Sequence, residues 1–102
     1  MGETSKEPLG PDKATKLIRD IVRYGTVELT RHCRKESMPE RGISFQDLLA
    51  VLQNGEVKET PTFNIEYRQF RYRVEGTTID GDNAIAVTVI INHRSIVVIT
   101  VF

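Results

Sequence analysis

The apolar positions of the chain fall into three kinds of pattern. Residues 84–91 and 95–102 are two nearly continuous apolar runs, separated by Asn92, His93 and Arg94. They hold half of the chain's valine and isoleucine and no charge, the one charged residue of 84–102 being Arg94 between them. Such runs predict strands apolar on both faces, placed mid-sheet and covered on at least one side by helix. Upstream, residues 67–76 alternate strictly. Phe70, Tyr72 and Val74 face one way, and Gln69, Arg71, Arg73 and Glu75 the other. Between them, Asp80-Gly81-Asp82-Asn83 predicts a turn. The third pattern is helical. Leu17, Ile18, Ile21 and Val22 recur at helix spacing, with Pro11 suited to the first turn and Gly25 to the stop.

Thr26–Thr30 alternates and predicts a short strand or an extended lead-in. Thr30 then caps a second, short helix carrying Arg31 to Ser37, which Pro39 ends or kinks. A third helix is marked by Ser44 and Asp47 as a capping box and by Ile43 and Leu48 as a hydrophobic staple. Asn54-Gly55 closes it, with Gly55 expected to take a left-handed turn. Glu56–Glu59 predicts a short strand that Pro61 ends or confines to an edge. Three helices followed by an antiparallel meander predict an α+β fold, with the helices on one face of a three- to four-stranded sheet. Residues 1–10 are polar with Gly and Pro and predict a disordered arm. Residues 11–102 predict one domain.

The charge balance narrows the choice of partners. Fourteen basic residues against fourteen acidic ones exclude a body that holds nucleic acid by bulk field, though not a local basic patch. Zero net charge leaves little self-repulsion and is compatible with self-association. Cys33 is alone, so no intrachain disulfide forms, which suits a reducing, cytoplasmic setting. No apolar stretch reaches the roughly 20 residues of a membrane span, and no apolar leader precedes Pro11.

Two groups of residues carry candidate chemistry. The segment Arg31-His32-Cys33-Arg34-Lys35-Glu36, continuing to Arg41, is dense in charge. On a helix His32 shares a face with Lys35 or Glu36. An imidazole titrates near neutrality and moves protons in both directions, and flanking arginines hold phosphate in bidentate fashion. The competing reading is a solvated helix face with His32 as a structural cap. The second group is Arg71 and Arg73, about 7 Å apart on one face of a strand, a spacing that suits successive phosphates. Its competing reading pairs them with Glu66, Glu75 or helix carboxylates. His32, Cys33 and His93 lack metal-ligand spacing, and no glycine loop cradles phosphate, so no metal or cofactor is expected. Gly55, Gly76 and Gly81 read as turn glycines. Tyr67, Phe70 and Tyr72 read as core and edge packing.

Thr30-Arg31-His32-Cys33, Glu40-Arg41-Gly42-Ile43-Ser44, Asp47 and Leu52-Gln53-Asn54-Gly55-Glu56-Val57 together resemble the bacterial family called domain of unknown function 4258. Tyr72-Arg73-Val74-Glu75-Gly76, Asp80-Gly81 and the closing Val97-Val98-Ile99-Thr100-Val101-Phe102 extend the resemblance over residues 26–102. Glu36 stands where members usually carry an arginine, and Pro39 lies in a longer connection to Arg41, so distortion of the second helix is expected. The family is similar in element order to RelE/ParE-type toxin folds. That similarity implies a metal-independent ribonuclease, or an inactive relative. His32 would act as base or acid, Arg41 and Arg73 would stabilise phosphorane-like charge, and Arg31, Arg34, Lys35 and Arg71 would bind RNA. It also implies an antitoxin-like protein partner. The alternative from a different class is a non-catalytic protein-interaction or regulatory module that uses an open sheet edge at Glu56–Glu59 or at a terminal strand.

Overall fold

A computed structural model describes residues 8–102. Pro11 opens α1 (Pro11–Tyr24), which ends at Gly25 as its pattern predicts. Its apolar stripe buries Ala14, Ile18 and Ile21. Thr26–Leu29 forms β1. A helical run then begins at Arg31, passes through a π-helical turn at Cys33–Ser37 and finishes as α2 (Met38–Arg41), with Gly42 at φ +66° closing it. The next helix, α3 (Phe45–Asn54), carries the predicted capping box. The Ser44 hydroxyl accepts the Asp47 N–H, and the Asp47 carboxylate accepts the Ser44 N–H. The strands are β2 (Glu56–Val57), β3 (Thr62–Asn64), β4 (Gln69–Thr77), β5 (Asn83–Asn92) and β6 (Ser95–Val101).

The sheet has six strands in the order β1-β6-β5-β4-β2, with β3 also paired to β4. The expected three- to four-stranded meander is present as β4-β5-β6, with β5 and β6 internal. Two extensions enlarge it. β1 adds to β6 in parallel, with Val27 opposite Ile96 and Leu29 opposite Val98. β2 and β3 pair with successive stretches of β4, because Pro61 separates them without ending the pairing. β6 is therefore paired on both sides, and the terminal strand at the sheet edge is β1. The β2 edge is occupied as well, because the Val57 N–H donates to the Thr15 hydroxyl of α1 at 2.9 Å.

One face of the sheet packs under the helices. Val57, Tyr72, Val74, Ala84, Ala86, Ile96, Val98 and Val101 share one core with Ile18 and Ile21 of α1 and Leu48, Val51 and Leu52 of α3. Two glycines differ from their expected role. Gly55 has extended backbone, φ −82°, and Gly76 lies inside β4 and not in a turn. Both are small because α3 ends directly on β4. A Cβ at Gly76 would sit 2.7 Å from the Val51 carbonyl oxygen, and one at Gly55 would sit 2.8 Å from the Glu75 carbonyl oxygen. The disordered arm expected over residues 1–10 falls mostly on residues outside the described part. Within the described part, the Leu9 N–H donates to the Tyr72 hydroxyl at 2.9 Å. Among the described residues no helix is long and apolar enough to cross a membrane.

Candidate functional site

The helical run from Arg31 is fixed to the sheet by two hydroxyls. The Thr30 hydroxyl accepts the Cys33 N–H at 3.0 Å, the predicted cap, and donates to the Ile99 carbonyl of β6 at 2.9 Å. The Ser37 hydroxyl donates to the Cys33 carbonyl at 3.3 Å and accepts the Val101 N–H at 3.2 Å. Cys33, Ser37 and Met38 are buried on this side. The π turn accommodates Pro39. An α-helix would place the proline ring against the carbonyl four residues back. Here the chain has already widened, with the Met38 N–H reaching the Cys33 carbonyl five residues earlier. The proline therefore neither ends the helix nor stops it short of Arg41, and the expected distortion takes this form.

Burying Cys33 and Ser37 turns His32 and Glu36 outward. His32 Nδ1 lies 3.2 Å from Glu36 Oε1, both side chains exposed, which selects Glu36 over Lys35 as its neighbour on the helix face. The tautomer that donates from Nδ1 to the Glu36 carboxylate leaves Nε2 as an acceptor. Nε2 faces Thr100 Oγ1 of β6 at 3.4 Å.

Thr100 lies on the sheet face turned away from α1 and α3. The register carries that face across the sheet: Thr100 is opposite Val87, and Val87 is opposite Arg73. Two strand spacings, about 10 Å, therefore separate the backbone under His32 from that of Arg73. Val87, Val89 and Val97 are buried on this face yet lie outside the helix-covered core, forming an apolar floor. Arg71 and Arg73 stand opposite Val89 and Val87. Neither pairs with Glu66 or Glu75. The Arg71 Nε–H donates to the Thr62 hydroxyl at 3.0 Å. Arg73 reaches Glu59 only at 4.0 Å, an exposed pair of little energetic weight, and its guanidinium lies 5.6 Å from the centre of the Phe102 ring. Glu75 faces Lys58 instead, also at 4.0 Å.

Phe102 connects this face to Arg41. Its backbone exchanges two hydrogen bonds with Ile85, so its ring sits two residues beyond Thr100 on the same face. It also lines an open groove of about 840 Å³ that includes Arg41, Lys58, Glu75, Asn83 and Ile85. There Arg41 Nη2 donates to the Asn83 carbonyl at 3.0 Å. His32 thus meets β6 at Thr100, Arg73 at the Phe102 ring, and Arg41 shares the groove with Phe102; of the three only Arg41 lines the groove. Arg31, Arg34 and Lys35 are exposed on the helical run. Thr100, Phe102 and Glu59 are the residues sequence reasoning missed. Thr100 and Phe102 lie in a run that reads as uniformly apolar, and only the cross-strand register shows that they border the charged groups.

Burial pushes the Cys33 thiol up from its ordinary range, only partly opposed by the hydrogen bond to Ser37, so this sulfur stays a protonated core group. Among the described residues no three His, Cys, Asp or Glu side chains are grouped to hold a metal ion. No curated protein and no solved structure gives a significant match to the chain. A family model does, over residues 29–102, from the strand before the Thr30 cap to Phe102 and including every residue named above around the open face. The chain therefore belongs to the family described as a domain of unknown function (DUF4258).

Proposed function

We propose that the open sheet face binds RNA and that His32 supplies the acid–base group of a metal-independent, toxin-like ribonuclease. The observation that carries this reading is the position of His32. Glu36 accepts a hydrogen bond from Nδ1 and leaves Nε2 facing a replaceable hydroxyl, that of Thr100, beside an arginine-lined surface. A ribose 2′-hydroxyl in place of Thr100 Oγ1 gives its proton to Nε2 while its oxygen forms a bond to the adjacent phosphorus. The P–O5′ bond breaks, and the products are a 2′,3′-cyclic phosphate and a 5′-hydroxyl strand. The imidazole, now protonated, returns its proton to the leaving 5′-oxygen. Arg73, near the Phe102 ring, and Arg41, in the groove that Phe102 lines, stabilise the phosphorane-like charge. Arg71 holds the strand along β4, and Arg31, Arg34 and Lys35 extend the contact along the helical run. In this reading the fold is RelE/ParE-like, the protein acts in the cytoplasm, and an antitoxin-like partner covers the open face.

The test is a short RNA incubated with wild type, His32→Ala and Arg73→Ala in the presence of a chelator. Expected is cleavage to cyclic-phosphate ends by wild type, lost in His32→Ala and reduced in Arg73→Ala. RNA binding without cleavage leaves an inactive relative, and neither binding nor cleavage overturns the reading.

A non-catalytic interaction module is favoured by one different observation. Phe63 and Ile65, at the β3–β4 hairpin, are 50% and 83% exposed. Size-exclusion chromatography of wild type against Phe63→Ser/Ile65→Ser checks it. A larger species that the double variant reduces to monomer supports it, and a monomer in both cases removes it.

A further inference from the structure

The groove beside Phe102 has the composition of a nucleobase pocket, which extends the RNA reading to a specific subsite. We propose that it takes one nucleoside monophosphate unit, its base stacked on Phe102 and its phosphate held by Arg41 and Lys58. This inference rests on the proposed RNA-directed function for its biological role, but not for its chemistry.

Three observations support it. The Phe102 ring is half exposed, yet both backbone polar groups that carry it are tied to Ile85. An aromatic surface presented on fixed backbone stacks a base at little cost in conformational entropy. Next, β5 overruns β6 at this end, and the uncovered Asn83 carbonyl is taken by Arg41. That bond uses one terminal nitrogen of the guanidinium and leaves the other donors for an anion, and Lys58, which also lines the groove, meets Glu75 at 4.0 Å. Last, Gly76 and Ala84 put little side-chain bulk into the lining, and the open groove measures about 840 Å³, within the range of small-ligand sites. A mixed surface of one ring, two cations and one carboxylate matches a base that offers amino hydrogens and a phosphate. A purely anionic ligand would leave Phe102 and Glu75 unused.

The experiment titrates adenosine 5′-monophosphate, ribose 5-phosphate and a six-nucleotide RNA into the 15N-labelled full chain, comparing wild type, Phe102→Leu and Arg41→Gln. Stacking contributions measured elsewhere correspond to roughly a 5- to 150-fold change per base. The expected result is that Phe102→Leu weakens the adenosine nucleotide at least about fivefold and leaves ribose 5-phosphate unchanged, while Arg41→Gln weakens both. Melting curves confirm that each variant is folded. A Phe102 dependence shared by the RNA assigns the base to a strand, and dependence confined to the mononucleotide assigns a free nucleotide; both support the pocket. Equal binding of nucleotide and sugar phosphate, indifferent to Phe102, overturns it, as does the absence of nucleotide binding at millimolar concentration. The adenosine 5′-monophosphate titration involves Phe102, Arg41 and Lys58 and not His32, so failure of cleavage and failure of the pocket are separable.

Discussion

Replacing Thr30 by alanine removes one oxygen that does two jobs. That oxygen caps the helical run bearing His32 through the Cys33 N–H and fastens it to the bulged carbonyl of Ile99 in β6. Loss of a threonine cap costs about 1 kcal/mol. Loss of the second, part-buried bond costs about 1 kcal/mol more, since the Ile99 carbonyl is left without its donor. The total of about 2 kcal/mol corresponds to a fall in Tm of roughly 8–16 °C for a domain of this size. Thr30→Ser keeps the hydroxyl and should lose only a small part of this. The measurement is thermal unfolding by circular dichroism, alongside the NMR signal of the His32 ring. That signal should move in Thr30→Ala because the helix is no longer held against Thr100, and stay in place in Thr30→Ser. A Thr30→Ala protein melting within 2 °C of wild type, or a serine variant as damaged as the alanine one, refutes the double role.

Other outcomes follow from the same contacts. Gly76→Ala places a methyl against the Val51 carbonyl and Asn54 Oδ1, and should cost about 1–3 kcal/mol in urea unfolding, the typical cost of overpacking. Burial raises both Cys33 and Tyr72, so the folded protein keeps protons that the unfolded chain releases. Stability is therefore full below the ordinary thiol value of 9.0 and should decline as pH rises past it, a trend that denaturant midpoints between pH 8 and 11 would show. Asp47 is shifted the other way, lowered by the Ser44 and Ile79 N–H groups it accepts. Its contribution is present above the ordinary carboxylate range and lost as pH falls through the depressed value, and Asp47→Asn should flatten the acid limb of the stability profile. If Arg73 contacts a phosphate, Arg73→Ala should reduce the slope of log affinity for RNA against log salt by about one. An unchanged slope would place it off the strand.

The local elements are set by residues that act within a few positions of themselves. Pro11 and the apolar spacing of α1, the Ser44–Asp47 box and the Thr30 cap form as the residue pattern indicates, because each is a bond or a periodicity internal to one turn of chain. The same holds for the alternation of β4 and the double-faced apolarity of β5 and β6. Other features depend on partners far away in sequence. Thr26–Leu29 becomes a parallel strand only because β6 offers an edge nearly seventy residues later. Gly55 and Gly76 look like turn glycines until α3 and β4 meet. Pro39 appears to stop a helix, but the π turn absorbs it, with Ser37 and Val101 holding the widened turn in place. The candidate site belongs to this second group. His32 with Glu36 is a helix-spacing contact and legible as such. That Thr100 meets His32 and that Phe102 and Arg73 follow on the same sheet face depends on strand register, which is set by the side chains the core accepts and not by any one segment.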